Sequence, residues 1–189
     1  MWMIANRRPF VLGDRQLLPG TIMDLFSLAV IFWIGRIRGW SFASFGWRVS
    51  WKGTGAGVVL FIVVAIVQVS VDILANAVHP EGSGFVITGL TVPAIFILSV
   101  INPFFEEVLE AGYLIYSLQR FGMWPAILAG SLFRAFLHSW QGLNGAFSIF
   151  ALGMILGFAY WRWRQLWPLI VAHSLCDFLG LLYLTHHAV

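Results

Sequence analysis

The sequence predicts an all-α fold: a polytopic transmembrane helical bundle of about five to six membrane segments around an intramembrane polar cavity. Three observations carry this. Hydrophobic residues make up 60% of the chain and charged residues only 10%, where a soluble domain carries roughly a quarter charged. Mean hydropathy is +0.86. The apolar residues also gather into runs near the length of about 20 residues that a helical crossing needs. One membrane domain, residues 1–189, is the natural unit at this size.

The runs follow in order. Thr21–Ile34 is short and holds Asp24, so residues 1–53 read as a short interfacial helix followed by a basic loop. Gly55–Val78 reads as a full span. Val86–Leu118 is too long for one straight crossing and contains Pro93 and Asn102-Pro103. Proline removes a helical hydrogen bond and crowds the preceding turn, so the chain should bend near Pro103 and continue as a second helical piece. Met123–Ser139, Gly145–Trp161 and Leu166–Leu184 complete the set, giving five full spans plus the interfacial helix.

Arg36, Arg38, Arg48, Lys52, Arg120, Arg162 and Arg164 fall in alternate loops. The positive-inside rule puts those loops in the cytoplasm and the C-terminus outside, as in a multi-pass protein of the cell membrane. Met1–Gly20 is poor in apolar residues and holds Arg7, Arg8, Asp14 and Arg15, so no cleavable signal is expected. The net charge of +3 is not a nucleic-acid signature, because most basic residues flank apolar runs. The single cysteine, Cys176, excludes an intrachain disulfide.

Glu106, Glu107 and Glu110 lie inside an apolar run, as do His138, His173 and Asp177. Ionisable groups at such depth are costly and point to function. The tight connection between Gln119 and Trp124 makes the flanking helices antiparallel. Folding the chain about it sets Glu106 level with His138, and Glu110 level with Arg134. Members of each pair on one helix are four residues apart and share a face. His173 and Asp177 are likewise four apart. They lie about 12–20 Å from the loop holding Arg164, and Glu106 lies about 20 Å from Arg120. All these groups can therefore meet at one depth. Two carboxylates and two imidazoles suit a site that activates water. Asp24 and Asp72 read as interfacial residues.

These residues resemble a family. Glu106-Glu107-Val-Leu-Glu-Ala-Gly-Tyr-Leu is similar to the first motif of the CPBP intramembrane proteases (CAAX prenyl protease type II and bacteriocin-processing proteins). Arg134-Ala-Phe-Leu-His138 and His173-Ser-Leu-Cys-Asp177 are similar to the second and third. The resemblance runs from residue 86 to 189. It implies an intramembrane endopeptidase acting on a membrane-associated protein or peptide, prenylated ones included. Glu106, Glu107, His138, His173 and Asp177 would be catalytic, with Glu110 and Arg134 behind them. Two departures stand out. The arginine usual after the glutamates is Ala111, and the phenylalanine usual before the histidine is Arg134. The expectation is that the positive charge has moved across the hairpin.

The family admits a metal-free, glutamate-dependent mechanism and a metal-dependent one. With no His-Glu-x-x-His motif, the metal-free form is favoured and no cofactor is expected. Zinc on Glu106, His138 and His173 is the alternative. Two other functions stay open: an inactive scaffold or bacteriocin-immunity protein on the same fold, and a small proton-coupled transporter. The absence of internal repeats disfavours transport.

Overall fold

A computed structural model describes residues 10–41, 43–80, 85–87 and 89–187. Arg7, Arg8 and Glu81 lie outside them. The fold is an α-helical bundle, with only two three-residue strands among the described residues: β1 (Phe10–Leu12) and β2 (Phe85–Ile87), paired in parallel. The helices are α1 (Asp14–Ile37), α2 (Trp51–Val78), α3 (Val92–Glu107), the single turn α4 (Tyr116–Leu118), α5 (Met123–Leu137), α6 (Gly142–Trp163) and α7 (Trp167–His187).

Five stretches are long and apolar enough to cross a membrane: Pro19–Ile37, Trp51–Val78, Val92–Phe121, Ser139–Trp163 and Trp167–His186. The protein is an integral, multi-pass membrane protein. The count of five matches the sequence reading, but its members differ. The first helix has 24 residues, against 14 in Thr21–Ile34, because its polar first turns are helical despite lacking an apolar pattern. It is long enough to cross, so shortness no longer argues for an interfacial position. Met123–Leu137 has only 15 residues. At about 1.5 Å per residue it ends roughly 22 Å from its start, short of a full crossing.

The long third segment also departs from expectation. Val86 lies in β2, and α3 starts at Val92 with Thr91 as N-cap and Pro93 in the first turn, where a missing N–H goes unnoticed. Pro103 is accommodated inside α3. The winding changes further on, where Val108–Ile115 form a π-helix. There the Tyr116 N–H donates to the Ala111 carbonyl, five residues back. Such wide turns recur at functional sites.

Small residues bring the helices close. On α2, Gly53, Gly57, Leu60 and Val64 are buried, while Val59, Ile62, Ile66 and Ile73 are exposed on the lipid side. Ser50 caps this helix by accepting from the Gly53 N–H at 3.0 Å. A Cβ on Gly57 would lie 2.7 Å from the Pro168 carbonyl oxygen and 2.7 Å from Val171 Cβ, so α2 and α7 touch through backbone. Trp167 Nε1 donates to Thr54 Oγ1 across this seam at 2.9 Å. Gly57→Val should force the two helices apart and lower stability by about 1–3 kcal/mol or more. Thermal unfolding in detergent reads this, and an unchanged midpoint would refute the close seam.

The loops carrying the basic residues meet at one end of the bundle. The Leu166 N–H donates to Gly46 O at 3.2 Å, and Arg164 donates to Gln119 Oε1 at 3.1 Å. Gly46 has φ +74°, and a Cβ there would sit 2.0 Å from Arg164 O, so no other residue fits. Arg38 lies over Trp40 and Tyr113, and Arg164 over Trp161, as expected of a cationic, aromatic membrane boundary. Asn144 donates to Asn76 Oδ1 and His79 O at the other end. The apolar core between the ends centres on Val64, Val108, Ile115, Leu152, Leu156 and Leu169.

Candidate active site

Four elements bring seven polar side chains to one place. Glu106 and Glu107 end α3, and Glu110 follows in the π-helix. Arg134 sits in the last turn of α5, with His138 as its C-cap. His173 and Asp177 share a face of α7. Glu106 is 14 residues from both Val92 and Arg120, so by helical rise it lies about 21 Å from either end of its span.

Arg134 is the hub. Its Nη2 donates to Glu107 Oε1 at 2.6 Å, and its Nε donates to Glu110 Oε2. Nη1 lies 3.7 Å from Glu106 Oε2. Only 1% of Arg134 is exposed, against 0% of Glu107 and 3% of Glu110. A charge held this far from water persists only when paired on several sides. The hairpin thus joins Glu110 to Arg134, as helix arithmetic predicts.

The two histidines face different partners. His138 Nδ1 lies 3.0 Å from the Arg134 carbonyl. A carbonyl only accepts, so Nδ1 carries the proton, and in the neutral ring Nε2 is left with a lone pair. That Nε2 lies 3.4 Å from Glu106 Oε1, beyond an ordinary direct hydrogen bond and short enough for both atoms to hold one water. His173 Nδ1 donates to Glu107 Oε1 at 2.8 Å. Its Nε2 lies 3.5 Å from Asp177 Oδ1 and 3.9 Å from Glu106 Oε2.

Glu106 differs from the other two glutamates. Asn102 Nδ2 donates to its Oε1 at 2.9 Å, while its Oε2 accepts no hydrogen bond. Glu107 Oε2 and Glu110 Oε1 are also without one. Exposure rises toward one edge, where the His138 side chain is 15% and Asp177 27% accessible. Trp140 stacks beside His138 there.

The sequence reading set aside two residues that lie near the cluster. Asn102 stood out only as part of Asn102-Pro103, yet it orients Glu106. Asp24 was read as interfacial, yet it is half-buried on α1, within electrostatic reach of Glu106. A lone carboxylate inside an apolar run was the available signal.

A buried carboxylate–imidazole cluster at mid-depth in a helical membrane bundle defines a candidate intramembrane hydrolase. Residues 88–179 match the family model of the type II CAAX prenyl endopeptidase Rce1-like proteins. This segment holds all seven side chains, so the part of the chain that builds the cluster is the part similar to that family. No curated protein and no solved structure matches it.

Proposed function

We propose that this protein hydrolyses a peptide bond of a membrane-associated protein or peptide, prenylated ones included, using water activated between Glu106 and His138. The observation that carries this is the 3.4 Å gap between His138 Nε2 and Glu106 Oε1 at the accessible edge of an otherwise buried cluster. Glu106 takes a proton from the water as the oxygen attacks the carbonyl carbon. Held as an imidazolium between Glu107 and Asp177, His173 turns its Nε2–H from Asp177 to meet the oxyanion. The proton then passes from Glu106 to the leaving nitrogen, the C–N bond breaks, and a carboxylic acid and an amine depart. Glu107 orients His173, and Arg134 with Glu110 holds both glutamates in place.

The metal-free form suits the geometry better than zinc. Among the described residues no three His, Cys, Asp or Glu side chains are arranged to share a metal ion. The Arg134 guanidinium, a resident cation, lies 3.3 Å from His173 Nδ1 and 3.7 Å from Glu106 Oε2. These contacts support the reading in which Glu106, His138 and His173 act on water without zinc.

The test is cleavage of prenylated and transmembrane peptides by the purified protein in lipid vesicles, read by mass spectrometry. The wild type should cleave in the presence of a chelator, and His138→Ala should be slower by about 10²–10⁴-fold. Loss of cleavage with chelator would favour zinc. A folded wild type that cleaves nothing in the library would favour the inactive scaffold.

A further inference from the structure

One carboxylate near the cluster has no role in this chemistry. Asp24 lies ten residues into α1, and α1 runs parallel to α3. The parallel β1–β2 pairing precedes the two helices, and the Thr91 N–H at the start of α3 donates to Asp14 Oδ1 at the start of α1 at 3.1 Å. With Asp14 level with Thr91, equal rise sets Asp24 level with Ile101, just over one turn before Glu106. Asp24 shares a face with Leu28, which is buried in the core. Leu25 and Leu28 line a cavity of about 530 Å³ with Ile101, Phe104, Ile170 and Ser174. The cavity therefore lies beside α1's acidic position, and Ser174 adjoins His173.

Among the described residues Asp24 accepts no hydrogen bond and forms no ion pair. The charge that acts on it is another carboxylate, Glu106, whose Oε2 is buried without a hydrogen-bond donor. Arg134 is the one permanent cation among the described residues of the cluster, and Glu107 and Glu110 already hold it. Two like charges in a partly dry setting are unfavourable together, and a cation arriving between α1 and α3 would relieve both. The cavity next to it is apolar and of a size that takes a bulky hydrophobic group.

Building on the proteolytic reading, we infer that Asp24 is a specificity-determining residue: it receives a basic group of the substrate while the cavity receives the apolar group beside it. The ligand chemistry is thus a peptide segment in which a lysine or arginine adjoins a hydrophobic side chain or lipid. A carboxylate meeting an ammonium at a half-buried position distinguishes such a segment from its neutral isostere by about tenfold.

Binding tests this without depending on cleavage. Palmitoylated peptides carrying one lysine at successive positions are titrated against the full chain in phosphatidylcholine vesicles, beside the same peptides with norleucine. At one position the wild type should bind the lysine form about tenfold more tightly. Asp24→Asn should bring that ratio close to one, Asp24→Lys should shift the preference to glutamate at the same position, and Asp72→Asn should leave the ratio as it was. No lysine preference at any position in the wild type would overturn the inference, and so would the same preference in Asp24→Asn. Cleavage is scored on the same samples. A lysine preference without cleavage upholds the subsite and counts against the protease, whereas cleavage without the preference does the reverse.

Discussion

Arg134→Met should lower the stability of this protein by about 3–5 kcal/mol, the usual result of removing one partner from a buried ionic cluster. The loss comes less from the missing contacts than from what stays behind. Glu107 and Glu110 keep their places in a dry interior with no cation between them, and Glu106 loses the guanidinium 3.7 Å away. Unfolding in detergent should show an early transition, and cleavage should fall with it. Methionine keeps most of the side-chain volume, so a cavity would not account for the change. Ala111 offers a second measurement. It is 2% exposed, next to Glu110 and one turn beyond Glu107, and it stands where the resembling motif usually carries arginine. Arg134→Met with Ala111→Arg should recover part of both stability and cleavage, because it returns the charge from the other side of the hairpin. A fully stable and active Arg134→Met protein would refute Arg134 as the hub.

The site was legible where its geometry follows from one connection. Gln119 to Gly122 form a tight turn, so counting outward along two helices finds Glu110 opposite Arg134 and Glu106 opposite His138. His173 and Asp177 were legible as a helix-face pair, but their approach to Glu107 depends on α7 packing against α2 and α3. That packing rests on small residues such as Gly57 and Gly53, whose spacing carries no partner information. The π-helix was not legible, because Val108–Ile115 has an ordinary helix-forming composition and its winding is decided by packing. Nor was Asp24: its distance from Glu106 is set by how α1 lies along α3, through contacts between residues far apart in sequence.

Glu106 and Glu107 are neighbours of one residue type, and their glutamine variants should nevertheless behave differently. Glu107 has 0% exposure and accepts from both Arg134 and His173 through one oxygen. Removing its charge weakens two charge-assisted hydrogen bonds at the centre of the cluster, so Glu107→Gln should lower stability by about 2 kcal/mol. Activity should fall with it, since His173 loses the group that orients its ring. Glu106 stands farther from the guanidinium, at 3.7 Å against 2.6 Å for Glu107. Glu106→Gln keeps an oxygen for Asn102 and removes one negative charge from an acidic cluster, so the protein should be as stable as the wild type or more so. Residues held for chemistry often carry that signature. Cleavage, however, should drop on the order of 10²–10⁴-fold, because an amide cannot take the proton from water. The two midpoints and the two rates separate the roles. If Glu106→Gln were destabilised as much as Glu107→Gln, with activity reduced only in proportion, Glu106 would be a structural partner and the base would have to be sought elsewhere in the cluster.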